Sequence, residues 1–373
     1  MAPNQQLVIV TLAALVSLMS AGCEEASSLT PDLGPKPETD AASAIQSEFD
    51  ALVASHHDTT ESSLGLSGQI RETPNSVQWA FDNRFGEPFD IGWNQTARKR
   101  MPNPVRIALI DESFDVEAPG LKHAFDVDSG INLLEPNKPF WFAHRNGSHH
   151  GNLVASIIAN RPVTKIDPLG VLAGHDVELI PIVAAGGHGP AWRTPRSSPE
   201  MILAGLRHAI GVQADIINIS AGIDVSQEQL ETLAADPIWT RLEEAGIQIV
   251  CAAGNDGRNI DESPIFPASI PNDNVIAVMG MGPTGQPSRR PLESGEWILG
   301  TNFGPQTVTV AGPGELVEVQ ARPDQPELAN GTSIAAAFVT AALAMDPRMH
   351  VMPVPGLETQ CRSRGLIQLP EQP

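Results

Sequence analysis

The chain is 373 residues long, with an apolar fraction of 41% and a charged fraction of 18%, which suits one large globular core and excludes a coiled coil or a collagen. Lysine and arginine number 23 against 44 aspartates and glutamates, a formal charge of -21; that field repels phosphate backbones, so nucleic acid is not an expected partner. The 33 prolines and 32 glycines call for many shaped turns, and the three cysteines sit in settings too dissimilar for a disulfide framework or a zinc cluster.

Residues 7–19 are an apolar stretch of the length of a signal-peptide core, too short to span a bilayer, and Ser20, Ala21 and Gly22 follow. Ala21-Gly22-Cys23 resembles a bacterial lipoprotein cleavage box, which implies acylation of Cys23 and attachment to a membrane. Ser20 stands where that box usually has Leu or Val, and no Lys or Arg precedes the apolar stretch. The expectation is a signal peptide over residues 1–23 and an exported protein, secreted or held at the cell envelope of a bacterium; the other reading is a buried N-terminal helix. Residues 24–75 are rich in Ser, Pro, Glu, Asp and Thr and read as a tether or a short pro-segment. Within them residues 41–55 place Ala44, Ile45, Phe49, Leu52 and Val53 on one helical face.

A domain is expected over residues 76–350, followed by a polar tail over 351–373. Apolar runs at 105–110, 177–183, 216–219, 247–252 and 275–279 read as buried parallel strands, and 151–159, 199–211 and 227–244 as helices. Strand and helix in alternation imply an α/β fold, a parallel sheet with helices on both faces, and in such sheets reactive groups gather where the strands end. Asp111 ends the first run, Ser220 follows 216–219, and Asn255 follows the run through Ala252.

The most specific string is Asn330-Gly331-Thr332-Ser333-Ile334-Ala335-Ala336-Ala337. A serine opening a helix of small residues offers its hydroxyl to a cleft beside unpaired backbone N–H groups, where charge developing on a carbonyl oxygen is favoured. Alone it would read as an ordinary helix cap. His150-Gly151-Asn152-Leu153-Val154-Ala155 places a histidine at the start of another such helix, and Asp111 is a carboxylate able to orient an imidazole. Ala252-Ala253-Gly254-Asn255 sets an amide on a tight turn after a strand.

Taken together, in the order Asp, His, Asn, Ser, these strings resemble the subtilisin-like serine peptidases. Ile217-Asn218-Ile219-Ser220-Ala221-Gly222, Phe266-Pro267-Ala268-Ser269 and Asn302-Phe303-Gly304-Pro305 extend the likeness from about residue 105 to 344. The resemblance implies a subtilisin-like three-layer sandwich with a mainly parallel sheet, Asp111, His150 and Ser333 as the triad, and Asn255 at an oxyanion hole. It also implies polypeptide substrates bound as an added strand along Ser220, Ala221 and Gly222. No cofactor is required for that chemistry; structural calcium occurs in the family, but no acidic loop here specifies a site.

The chain departs from the family pattern at four places. Glu112-Ser113 follows Asp111 where Thr or Ser and then Gly are usual, so an extra carboxylate beside the triad is expected to raise the pKa of the histidine. Asn152 and Leu153 replace a Thr and a second histidine, and His149 leaves a register ambiguity that Gly151 settles in favour of His150. Ala337 replaces a proline, and residues 184–198 form a long polar loop. His56, His57, His123, His144, His175, His188 and His208 show no metal-ligand spacing, and no metal is expected. Three rival readings stand beside the peptidase. They are a pseudoenzyme that kept the fold as a binding module, a peptide transferase or cyclase, and an α/β oxidoreductase, which lacks a Gly-rich phosphate loop after the first strand.

Overall fold

The computed structural model describes residues 79–81, 90–92, 104–140, 150–164, 167–185, 197–292, 294–322 and 325–370. The expected signal peptide with Cys23, the tether over 24–75 with its helix at 41–55, and residues 186–196 of the polar loop lie outside the described residues.

One nine-stranded sheet organises the chain. In spatial order it runs β14 (His350–Pro353), β15 (Gly365–Gln368), β11 (Val310–Pro313), β8 (Val275–Met281), β6 (Gln248–Ala252), β4 (Ile216–Ile219), β1 (Val105–Asp111), β3 (Val177–Val183) and β2 (Ile131–Asn132). Every neighbouring pair is parallel except β14 with β15. The central strands are continuous apolar runs because both of their faces are covered. Register shows how. Ile110 of β1 lies under α2 (Pro199–Gly211), where a Cβ on Gly205 would come 3.0 Å from its Cδ1. The alternate residues, Leu109 and its partner Asn218, face the opposite side.

That opposite side carries α1 (His150–Ala159) and α5 (Thr332–Met345), packed on each other. Both are apolar and small almost all round, the pattern of helices enclosed in a core rather than laid on a surface. Close packing depends on missing side chains: a Cβ on Gly312 of β11 would lie 2.6 Å from the Ala335 carbonyl oxygen of α5. The α2 start is fixed by Ser198, whose side chain accepts from the Met201 N–H, with a proline directly after it.

Two expectations are corrected. The helix expected over 227–244 is two, α3 (Gln227–Ala234) and α4 (Ile238–Glu244). Pro237 stands at the junction, and the Asp236 side chain takes up the Ile238 N–H. The polar tail expected over 351–373 belongs to the sheet as far as it is described: β15 pairs with β11, and Leu357, Cys361, Leu366, Ile367 and Leu369 are buried. The Leu369 N–H donates to the Ile91 carbonyl, so this segment also ties down residues 90–92. Among the described residues Cys251 and Cys361 are free and buried, and no helix is long and apolar enough to cross a membrane.

Short two-stranded ribbons complete the fold. β5 (Ile223–Asp224) pairs antiparallel with β7 (Ile265–Phe266), β9 (Arg289–Pro291) with β10 (Trp297–Leu299), and β12 (Val317–Arg322) with β13 (Gln325–Ala329), which leads directly to α5.

Candidate active site

The order β6-β4-β1 sets three strand ends side by side, so Asn255, Ser220 and Asp111 emerge from adjacent strands at one edge of the sheet. The Ser220 N–H donates to the Ile110 carbonyl, closing the gap between two of them. Both α1 and α5 begin at this edge, each held there by a strand end.

At the end of β1, Asp111 is 1% exposed. His150, the first residue of α1, stands 2.8 Å from it, Nδ1 to Oδ1. With Nδ1–H donating to the carboxylate, Nε2 is the nitrogen left to accept a proton. Asp111 Oδ1 also accepts the Glu112 N–H at 2.7 Å, while Oδ2 is buried without a hydrogen-bond partner. An orphaned carboxylate oxygen is costly, and a positive imidazole beside it reduces that cost.

Two further contacts set the approach of α1. The Gly151 N–H donates to the Ser113 carbonyl at 3.1 Å, and a Cβ on Gly151 would lie 2.3 Å from the Phe114 ring, so only glycine admits the loop after β1 this close. Asn152 accepts from the Asp115 N–H at 2.7 Å and donates to the Asp115 carbonyl at 3.0 Å. The asparagine that departs from the family pattern is thus a clamp between the Asp111 loop and the His150 helix. Spacing gave no signal of it, because its partner is backbone 37 positions away.

Glu112 is 8% exposed, and its ligand atoms lie within 4.8 Å of those of Asp111 and His150. Burial pushes its carboxyl up to about 7; the His150 charge pulls it down and Asp111 adds to the rise. Burial works against the His150 cation, but the charge and hydrogen bond of Asp111 and the charge of Glu112 carry the imidazole up to about 9. The extra carboxylate therefore acts in the direction expected from the sequence. An imidazole and two carboxylates this close could also coordinate a cation. A metal on Nδ1 would have to displace the hydrogen bond that already joins His150 to Asp111.

At the end of β6 the materials are neutral. Asn255 Oδ1 accepts from the Thr332 N–H at 2.9 Å and from Thr332 Oγ1 at 3.2 Å, and the Gly254 N–H donates to Thr332 Oγ1 at 3.0 Å. With Oδ1 anchored, the Nδ2 donor of Asn255 is left for a ligand. The helix start needs Gly331, whose φ of 144° a side chain would strain. Ser333 follows in the first turn of α5, 8% exposed, where its backbone N–H has no acceptor within the helix. Ser220 is half-buried between the two halves. Its Oγ accepts from Asn218 Nδ2 at 2.9 Å, and Thr340 of α5 donates to Asn218 Oδ1 at 2.9 Å, a bridge from β4 to α5. Ala221 and Gly222 lie half-buried and exposed in the gap between β4 and β5.

A family model described as the subtilase family matches residues 103–346, well over half of the chain. The chain belongs to the subtilase family. Mycosin-1 of Mycolicibacterium smegmatis is 28% identical to it over 259 residues, 59% of this chain and 57% of the relative. The major intracellular serine protease of Bacillus subtilis is 25% identical over 245 residues, 65% of this chain and 67% of that protein. The chain thus spans little more than half the length of the mycosins it matches. The crystal structure of MycP1 with its N-terminal propeptide removed superposes with a TM-score of 0.51 at 20% identity, covering 71% of this chain and 88% of that one. That likeness is one of fold, and it agrees with the parallel sheet described above for this subtilase.

Proposed function

We propose that this subtilase is a serine endopeptidase that hydrolyses polypeptides through an acyl intermediate on Ser333. The observation that carries the reading is the 2.8 Å bond from His150 Nδ1 to a buried Asp111, the pairing that prepares an imidazole as a base. Ser333 Oγ attacks the substrate carbonyl carbon, its proton passes to His150 Nε2, and the carbonyl electrons move onto oxygen. Asn255 Nδ2 and the Ser333 N–H donate to that oxyanion. Collapse of the intermediate breaks the C–N bond as His150 returns the proton to the leaving amine; water then repeats the sequence to free the acid. The substrate runs extended beside Ser220, Ala221 and Gly222, as an added strand whose binding depends mainly on backbone. We further propose export through residues 1–23 and acylation at Cys23, which would hold the domain at a bacterial membrane.

Labelling with a fluorophosphonate serine probe, run from neutral to alkaline pH, tests the chemistry. The wild type is expected to label increasingly as His150 loses its proton, and Ser333→Ala and His150→Ala not at all. Folded wild type that stays unlabelled throughout would overturn the peptidase in favour of a binding module. The mass of the mature N-terminus in the same preparation reads whether cleavage has left an acylated Cys23.

A further inference from the structure

Asn255 stands on the turn Ala253-Gly254-Asn255-Asp256-Gly257-Arg258, which has two glycines and no proline to set its shape. Among the described residues, no backbone hydrogen bond closes this turn on itself. Its Gly257 N–H donates to the Gly300 carbonyl at 3.1 Å, its Gly254 carbonyl accepts from the Asn302 N–H at 2.8 Å, and its Arg258 carbonyl accepts from the Phe303 N–H at 3.0 Å. The Thr332 contacts reach only Gly254 and Asn255. The shape of the rest is therefore imposed mainly from residues 300–303, where the string Asn302-Phe303-Gly304-Pro305 begins. The proposed mechanism leaves that string without a part.

Asn302 occupies the middle of the turn. It is completely buried, and its side chain bonds three backbone groups spread along the turn. Nδ2 donates to the Ala253 carbonyl at 2.9 Å, and Oδ1 accepts from the Asp256 N–H at 3.0 Å and the Arg258 N–H at 3.1 Å. With the main-chain bond to Gly254, one residue thus holds the positions on both sides of Asn255, whose side chain is left to Thr332 and to a ligand. Gly254 fits this arrangement: its φ is 98°, and a Cβ there would lie 2.4 Å from Asn302 Nδ2, so a side chain would push the amide out of the turn. Asn302 is itself anchored to the sheet. Thr301 Oγ1 accepts from the Gly280 N–H of β8 at 2.8 Å and donates to the Asn302 carbonyl at 3.0 Å.

A hydrogen-bond donor serves catalysis only where charge forms, and a displacement of about 1 Å can cost on the order of 10²-fold in rate. We infer that Asn302 is a positioning residue for the proposed reaction, holding the turn so that Asn255 Nδ2 meets the oxyanion. The inference rests on the role proposed for Asn255. The turn presents one carbonyl and two N–H groups to a single side chain, and an amide of this length supplies both the donor and the acceptor. Aspartate lacks the donor, and serine lacks the reach.

The test uses the full chain and a fluorophosphonate probe, whose phosphonyl oxygen takes the place of the carbonyl oxygen while Ser333 displaces fluoride. The maximal labelling rate and the half-saturating probe concentration are measured for wild type, Asn302→Asp, Asn255→Leu and the double variant, with a melting curve for each. Asn255→Leu is expected to slow the maximal rate by about 10²- to 10³-fold. Asn302→Asp should slow it by about 10- to 100-fold, with the half-saturating concentration within about twofold of wild type. In the Asn255→Leu background, Asn302→Asp should slow the rate by no more than about twofold, because the place of a donor is immaterial once the donor is gone. A residue that only supports the fold would lower the rate by the same factor in both backgrounds. That result would overturn the inference, as would a wild-type rate in Asn302→Asp. Asn302→Ser should repeat the pattern, and it takes the place of Asn302→Asp if that variant melts below the assay temperature. An undiminished rate in Asn255→Leu would instead overturn the role proposed for Asn255, and this inference with it.

Discussion

At the end of β1 the site is made of charge, with Asp111, Glu112 and His150 crowded within 4.8 Å and mostly buried. At the end of β6 it is made of neutral donors and acceptors, Asn255, Thr332 and the first turn of α5. The charged half has to hold protons against burial and so responds to pH. The neutral half positions atoms through hydrogen bonds that no pH change near neutrality removes. In the proposed mechanism, binding an oxyanion and supplying a base thus fall to parts of the fold with different sensitivities.

The largest expected effect breaks the charged half. Asp111→Asn keeps the shape of the side chain but favours the wrong imidazole tautomer, and turnover should fall by about 10⁴-fold, read as kcat on any cleaved peptide. Next comes the neutral half: Asn255→Leu removes the Nδ2 donor, and a loss of about 10²- to 10³-fold in kcat is expected. The pH dependence of what remains should match wild type, and a shifted profile would mean the two halves are not separable.

The third prediction sharpens the comparison. Glu112→Gln removes a charge that helps to hold His150 near 9, so the acid limb of kcat/KM should move to lower pH by on the order of one unit. Stability should change with it. The Glu112 carboxyl, raised from 4.5 to about 7 by burial, makes the wild type lose stability as pH rises through that window, because the unfolded chain releases the proton first. His150 continues the decline: its contribution is complete below 6.5 and disappears as pH passes about 9. Glu112→Gln should therefore melt higher than wild type above neutral pH, by about 2 kcal/mol in unfolding free energy; equal melting across that range would show that the buried carboxyl carries no penalty.

Much of this was legible in the sequence where the signal is local. The strands 177–183 and 216–219 and the helix 199–211 have the bounds expected of them, since each is an apolar pattern cut off by turn residues or by Ser198-Pro199. The strands β14 and β15 were not, because four residues such as Gly365–Gln368 become a strand only through pairing with β11. In the site, the ends of β1 and β6 could be read from motifs. The burial of Glu112 could not, since a charged residue after a strand ordinarily faces water.

The adjacency of β1, β4 and β6 also governs when the site can exist. Asp111 and Ser333 are more than two hundred positions apart, and loops of that length close late and slowly. The sequence as far as β4 contains Asp111 and His150 but neither the turn that carries Asn255 nor the helix that begins at Ser333. In the proposed mechanism the site is therefore complete only once the segment through Ser333 has joined the sheet.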